Sequence, residues 1–118
     1  MVSVYSLSKA SRLTKTEQFG AARHADHREN GAVFQVLVKR KRQGIARLGV
    51  VVNKKGTPRA VDRNYVKRLI REQFRIRKRD LVDMDIVIRV HGVVSKSHSR
   101  QARMELSDLL SKVSRWAA

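Results

Sequence analysis

Residues 60–75 read Ala-Val-Asp-Arg-Asn-Tyr-Val-Lys-Arg-Leu-Ile-Arg-Glu-Gln-Phe-Arg, and this pattern decides the fold class. At about 100° per residue, the large apolar side chains fall on one side of a helix. They are Tyr65, Val66, Leu69, Ile70 and Phe74. The other side carries cations and one amide, which are Arg63, Asn64, Lys67, Arg68, Arg71 and Arg75. The stretch predicts an amphipathic helix with one packed face and one cationic face.

The distribution of charge indicates a polyanionic partner. The 118-residue chain has 27 Lys and Arg against 10 Asp and Glu, which gives a net charge of +17. Residues 39–79 hold 16 of these cations and only two acids, Asp62 and Glu72. A solvated charged face is the alternative, but such faces usually mix both signs. The middle of the chain is therefore the predicted nucleic-acid-binding region.

Length and composition predict a single domain over residues 1–118, with residues 1–11 as a flexible end because they show no clear period. The chain has no apolar run of 18 residues and no signal-peptide pattern, so we expect a cytoplasmic protein without a membrane partner. The absence of cysteine excludes disulfides, thiolate zinc sites and a cysteine nucleophile.

A first helix is predicted to begin at Thr14-Lys-Thr-Glu17, which has the spacing of a capping box. Four-residue spacing then places Phe19 between Lys15 and Arg23 on one face of this helix. Phe19 suits either the core or a binding surface.

Alternation predicts three strands, at residues 33–39, 45–53 and 84–90. In each run one alternate set is apolar and is assigned to the core, while the other set is mixed and faces outward. The outward set includes Gln35, Leu37, Arg47, Val51, Asn53 and Arg89. A cross-strand ion pair is an alternative role for the two arginines in this set.

The start of each later helix is predicted from its capping residues. Thr57-Pro58 is expected to cap the basic helix, and Ser99 the last helix. The last helix is expected to cover the core with Met104, Leu106, Leu109, Leu110 and Val113. The resulting order, helix, two strands, helix, strand and helix, predicts a mixed α/β sandwich. Its crossover would ordinarily be right-handed.

Side chains that could support catalysis are few. Asp83 and Asp85 flank the start of a strand, where a solvated turn explains them. His24 and His27 lack a third metal ligand nearby. Residues 53–58 lack the glycines of a phosphate-binding loop. We therefore expect no catalytic side chain and no metal site in this chain, which is predicted to bind rather than to cut.

Two adjacent motifs resemble the signature of the bacterial ribonuclease P protein subunit family. The first reads Arg47-Leu-Gly-Val-Val-Val-Asn-Lys-Lys55, and the second reads Ala60-Val-Asp-Arg-Asn-Tyr-Val-Lys-Arg-Leu-Ile-Arg-Glu72 with Phe74-Arg75. The likeness extends over about residues 12–113. It implies an α+β fold of order αβββαβα, with a small, mostly antiparallel sheet and a left-handed βαβ crossover through the basic helix. This expectation replaces the general right-handed one.

The resemblance also implies a function and partners. Members of this family pair with a catalytic RNA, the ribonuclease P RNA, which removes 5′ leaders from precursor tRNA by Mg²⁺-dependent phosphodiester hydrolysis. The active site lies in the RNA, so Mg²⁺ is expected to be bound mainly by the RNA. The implied partners are the ribonuclease P RNA and precursor tRNA, with no obligate protein partner.

The resemblance implies two RNA-binding surfaces. The surface for the catalytic RNA would consist of Lys54, Lys55, Arg63, Asn64, Lys67, Arg68, Arg71 and Arg75. A cleft for the single-stranded leader would consist of Lys15, Phe19, Gln35, Leu37, Arg47, Val51, Asn53 and Arg89. Tyr65 replaces a cation of the usual family motif, while Arg23 and Leu37 stand where relatives carry aromatics. Weaker discrimination among leader sequences is expected from the missing base stacking.

Two other classes of protein fit the same charge. A non-catalytic module for structured RNA, such as a ribosomal protein, would need a similar basic helix. A DNA-binding protein would use that helix in the major groove, but helix-turn-helix and dimer-forming features are missing. Stimulation of precursor tRNA cleavage at low Mg²⁺ would distinguish the ribonuclease P subunit from the other RNA-binding module.

Overall fold

The computed structural model describes residues 9–118, in which helices and strands follow the order αβββαβα. The helices are α1 (Lys15–Arg23), α2 (Ala60–Arg77) and α3 (Ser99–Ala117). The strands are β1 (His27–Asn30), β2 (Phe34–Arg40), β3 (Arg47–Val52) and β4 (Met84–Val90). The order implied by the family resemblance is confirmed. Periodicity alone missed β1, because its four residues are all polar.

The four strands form one sheet in the order β1-β2-β4-β3. β2 is antiparallel to both β1 and β4, whereas β3 and β4 are parallel. Because parallel neighbours need a crossover connection, α2 links β3 to β4 across one face of the sheet. The mostly antiparallel sheet is confirmed, and the left hand of the crossover stays a prediction.

The main core lies where α2 and α3 cover one face of the sheet. Its largest fully buried side chains include Phe34, Phe74, Leu69, Ile70, Leu106 and Leu110. Tyr65 packs against this core, half-buried, as its position on the helix predicts. Met104 does not: its side chain is 65% exposed, because it lies on the opposite side of α3 from Leu106 and Leu110. Ala102 is buried in the core side of α3 instead.

A smaller cluster lies on the other face of the sheet, beneath α1. It contains Leu13, Ala21, Ala22, Leu37 and Val87. The outward position predicted for Leu37 is therefore corrected: the side chain is fully buried, because α1 covers this part of the sheet. The predicted flexible end lies mostly outside the described residues. Its last part, Lys9–Ser11, forms a short 3₁₀ helix, and the buried Ser11 hydroxyl accepts a hydrogen bond from Lys78.

One of the three predicted helix caps is confirmed. The Glu17 backbone N–H donates to Thr14 Oγ1 at 3.2 Å, and Glu17 Oε1 accepts from the Thr14 backbone N–H at 2.9 Å. The cap predicted at Thr57 is wrong, since its buried hydroxyl donates to the Gly92 carbonyl and α2 begins at Ala60. Ser99 is the first residue of α3 rather than its cap.

Two residues of α3, Glu105 and Trp116, hold the β1–β2 hairpin in place. The Glu105 carboxylate accepts hydrogen bonds from the backbone N–H groups of Ala32, Val33 and Phe34 at 2.9 to 3.0 Å. His27 stacks on Trp116 with ring centroids 4.5 Å apart, and the Arg40 guanidinium lies 4.2 Å from the Trp116 ring centroid. These contacts position β1 and β2 for their pairing.

Candidate nucleic-acid interface

A cleft of about 450 Å³ runs between α1 and the exposed part of the sheet. Its lining residues belong to α1, α2, β3 and β4. They are Lys15, Gln18, Phe19, Ala22, Val50, Val51, Val52, Lys67, Val87 and Arg89. Apolar side chains form most of the floor, and three cations with no acid surround it. Phe19 is 76% exposed, so the structure assigns it to this surface and not to the core.

The structure gathers half of the predicted leader-binding residues in this cleft. Lys15, Phe19, Val51 and Arg89 line it together. Gln35 and Asn53 do not: the Gln35 amide donates to Asn30 Oδ1, and Asn53 Oδ1 accepts from the Lys55 backbone N–H. Leu37 lies beneath α1 and is inaccessible to a ligand.

Arg47 belongs to an ion-pair network beside the cleft. Its guanidinium donates to both carboxylate oxygens of Asp85, at 2.9 and 2.8 Å, and to Glu17 Oε2 on α1. Lys41 Nζ also donates to Asp85, at 2.9 Å. The ion-pair alternative is therefore the observed one for Arg47, and its charge is largely neutralised before any ligand approaches.

Several pKa values in this network are displaced from their ordinary range. Burial raises the pKa of Asp85, but hydrogen bonds from Arg47 and Lys41 outweigh that effect and leave it lowered. The pKa of Glu17 is lowered by its hydrogen bond from the Thr14 backbone and by Arg47. The pKa of Arg47 is raised, chiefly by its hydrogen bonds to Asp85. All three groups therefore stay ionised at neutral pH.

Lys67 is a cleft residue that sequence reasoning assigned elsewhere. It was expected on the surface for the catalytic RNA, yet it lines the cleft opposite α1. The helical pattern held a partial signal, because Lys67 lies only about 20° from Phe74, at the edge of the packed face. Val50 and Val52, which alternation assigned to the core, pack partly buried against the main core and also line the cleft. Val87, from the smaller cluster beneath α1, lines it as well.

The remaining cationic face of α2 is available to a second ligand. Asn64, Arg68 and Arg75 are exposed, and Arg71 is half-buried. Within residues 9–118, the Arg71 and Arg75 guanidinium groups have no hydrogen-bond or ion-pair partner. Neighbouring Lys54 and Lys55, in the turn before α2, are exposed.

Arg63 has a structural role that sequence reasoning did not predict. Its guanidinium Nη1 donates to the carbonyl oxygens of Thr57 and Pro58, at 3.0 and 2.7 Å. The half-buried Arg63 side chain thus stabilises the loop that leads into α2.

Two kinds of feature are absent from the described part of the chain. Residues 9–118 contain no group of three or more His, Asp or Glu side chains arranged to hold a metal ion. None of the helices in this part combines the length and the hydropathy that a membrane-spanning segment requires. The described residues therefore offer surfaces for binding and no metal-binding cluster of this kind.

Known proteins share both the sequence and the fold. A family model described as Ribonuclease P matches residues 7–114. The ribonuclease P protein component of Chromobacterium violaceum is 35% identical over 117 residues, covering 99% of this chain and 97% of that protein. The corresponding component of Nitrosomonas eutropha is 39% identical over 114 residues, covering 95% and 94%.

The solved RNase P protein from Thermotoga maritima superposes with a TM-score of 0.67 at 28% identity, covering 86% of this chain and 96% of that one. The sequence and structural matches thus agree with each other over nearly the whole chain. They favour the ribonuclease P subunit over other RNA-binding modules. The chain therefore belongs to the bacterial ribonuclease P protein family, the protein subunits of a ribonucleoprotein endoribonuclease that acts in tRNA 5′ maturation.

Proposed function

We propose that the chain acts as one RNA-binding domain with two separate surfaces. The exposed face of α2 binds the ribonuclease P RNA, and the cleft between α1 and the sheet binds the single-stranded 5′ leader of precursor tRNA. Family membership implies association with the ribonuclease P RNA. Mg²⁺ is assigned mainly to the RNA partner, as the family resemblance implies. A cytoplasmic location remains a prediction.

The composition of the cleft is the observation that carries the leader assignment. An exposed aromatic ring stands over an apolar floor, and Lys15, Lys67 and Arg89 surround it. Single-stranded nucleic acid is bound by this combination, because bases stack on aromatic rings while cations follow the backbone. The cleft includes Lys67 and omits Leu37 and Arg47. Leader contacts by Gln35 and Asn53 stay predictions.

The proposal is tested by cleavage of precursor tRNA by the ribonuclease P RNA at low Mg²⁺, with and without this protein. Substrates with a one-nucleotide leader and with a longer leader should be compared. We expect the protein to stimulate cleavage of the longer-leader substrate more strongly. Equal stimulation of both substrates would contradict leader binding while leaving association with the catalytic RNA intact.

Phe19→Ala should reduce this preference for the longer leader. Because base stacking on an aromatic side chain contributes about 1 to 3 kcal/mol, we expect substrate affinity to fall by roughly 5- to 150-fold. The affinity of the protein for the ribonuclease P RNA alone should stay unchanged. Met104→Ala is the matched control, since Met104 is 65% exposed on α3 and lines no part of the cleft. Equal effects of the two substitutions would refute the role of Phe19.

Arg71→Ala should weaken binding of the ribonuclease P RNA in a salt-dependent way. Loss of one phosphate contact reduces the slope of log K against log salt concentration by roughly 0.7 to 0.9. Equilibrium binding at several salt concentrations measures this slope. Arg100→Ala, which removes an exposed arginine from the first turn of α3, serves as the control. An unchanged slope for Arg71→Ala would place that side chain in solvent.

A further inference from the structure

A second groove, distinct from the leader cleft, lies at the C-terminal end of α2. It has a volume of about 300 Å³ and is lined by Ile45, Ala46, Arg75, Lys78, Arg79 and Val82. The groove thus lies between the residues just before β3 and the connection from α2 to β4. It shares no lining residue with the leader cleft.

The groove combines cations with exposed apolar side chains. Ile45 and Val82 are 46% and 51% exposed. The guanidinium groups of Arg75 and Arg79 have no hydrogen-bond or ion-pair partner within residues 9–118. None of the residues that line the groove is acidic. The site is therefore suited to a ligand that is both anionic and apolar.

We propose that this groove receives an unstacked nucleotide of the ribonuclease P RNA. The base would pack on Ile45 and Val82, since apolar side chains accommodate bases that have left a helical stack. The phosphates on either side would contact Arg75 and Arg79. A duplex presents phosphates but no free base face, so it would leave the apolar part of the groove unfilled.

The catalytic RNA is the favoured occupant because the groove continues the surface assigned to it. Arg75 belongs both to the exposed face of α2 and to the lining of the groove. Lys67 in the leader cleft lies eight residues earlier on the same helix, about 12 Å along its axis. The inference rests on the proposed RNA-binding function of α2.

The absence of cysteine allows a direct test, since a single introduced thiol can be labelled uniquely. We expect Ile45→Cys and Val82→Cys, each carrying an azidophenacyl group, to crosslink to unpaired nucleotides of the ribonuclease P RNA in the holoenzyme. Met104→Cys should not crosslink, and Asn64→Cys should crosslink to the RNA through the α2 face. If Asn64→Cys crosslinks but the two groove variants do not, the groove proposal fails alone. If none crosslinks, the α2 assignment fails with it.

Two affinity measurements separate the base from the phosphates. Ile45→Ser should lower affinity for the ribonuclease P RNA about fivefold, at the low end of the contribution of base stacking, without changing the salt slope. Arg79→Ala should reduce the slope by roughly 0.7, as expected for a lost contact to single-stranded RNA. Crosslinks from the groove to precursor tRNA or to paired nucleotides, or an Ile45→Ser effect confined to the salt slope, would overturn the proposal.

Discussion

Replacing Asp85 by Ala should lower the free energy of unfolding by about 3 kcal/mol. The Asp85 side chain is only 13% exposed and accepts hydrogen bonds from Arg47 and Lys41, so its removal leaves two cations without their shared partner. Breaking a buried pair from one side typically costs about 3 to 5 kcal/mol, and the partial exposure of Arg47 places this pair at the low end. Urea denaturation followed by circular dichroism measures the change.

The same carboxylate predicts how stability depends on pH. Because the pKa of Asp85 is lowered in the folded chain, a falling pH favours the unfolded chain, which binds the proton more readily. Its stabilising effect should be full above about pH 5 and be lost as the pH falls through the folded pKa. Asp85→Asn should therefore flatten the acid limb of the stability curve. The pKa values of Glu17 and Asp26 are also lowered, so these groups should add to the acid dependence.

Asp80→Ala is the matched control for this prediction. Asp80 is exposed and has no ion-pair partner within residues 9–118, so its substitution should change stability by less than about 0.5 kcal/mol. If Asp85→Ala proved as mild as Asp80→Ala, the network beside the cleft would make no net contribution to stability.

Gly49→Ala should destabilise the protein and disturb the cleft at the same time. A Cβ at Gly49 in β3 would lie 2.5 Å from Gln18 Cγ and 2.9 Å from Gln18 Cδ on α1. Either Gln18 gives up its hydrogen bond to the Leu13 carbonyl, or α1 moves away from the sheet. Overpacking of this kind costs about 1 to 3 kcal/mol. Because Phe19 follows Gln18 on α1, we also expect weaker stimulation of longer-leader cleavage.

A compensating substitution tests this explanation. Gln18→Ala removes the three atoms that lie nearest to the new Cβ, so adding it to Gly49→Ala should restore most of the lost stability. The coupling energy of the double-mutant cycle is the measurement, and neighbouring residues that clash should show at least about 0.5 kcal/mol. Additive effects of the two substitutions would mean that Gly49 is needed for a different reason.

The sequence was sufficient to predict what depends on local periodicity. The cationic and packed faces of α2 and the alternation of β2, β3 and β4 are repeated signals over six or more residues. An ion pair is one of two roles that the sequence predicts for Arg47, but the sequence does not identify Asp85 as the partner, since it lies 38 residues away. The presence of the longer helices and strands could therefore be predicted more readily than the partner of a charged side chain.

The errors arose where one element covers another. Alternation correctly placed Leu37 opposite the main core, but it could not show that α1 lies over that position. Similarly, β1 is a polar four-residue strand whose hairpin is held by Glu105, more than 70 residues later. Lys67 was placed by helical angle alone, and only the position of α1 across the cleft shows what it faces. The environment of these residues depends on tertiary packing, which cannot be predicted from a local sequence pattern.

Trp116 gives the protein an internal optical reporter. It is the only tryptophan in the chain, and it contacts His27 and Arg40, which lie 89 and 76 residues earlier in the sequence. A contact of such long sequence separation forms only when β1, β2 and α3 have come together, so the fluorescence of Trp116 should follow the docking of α3 on this hairpin. Trp116 lines neither the leader cleft nor the groove at the end of α2. Its emission can therefore record this docking while both surfaces are occupied by RNA.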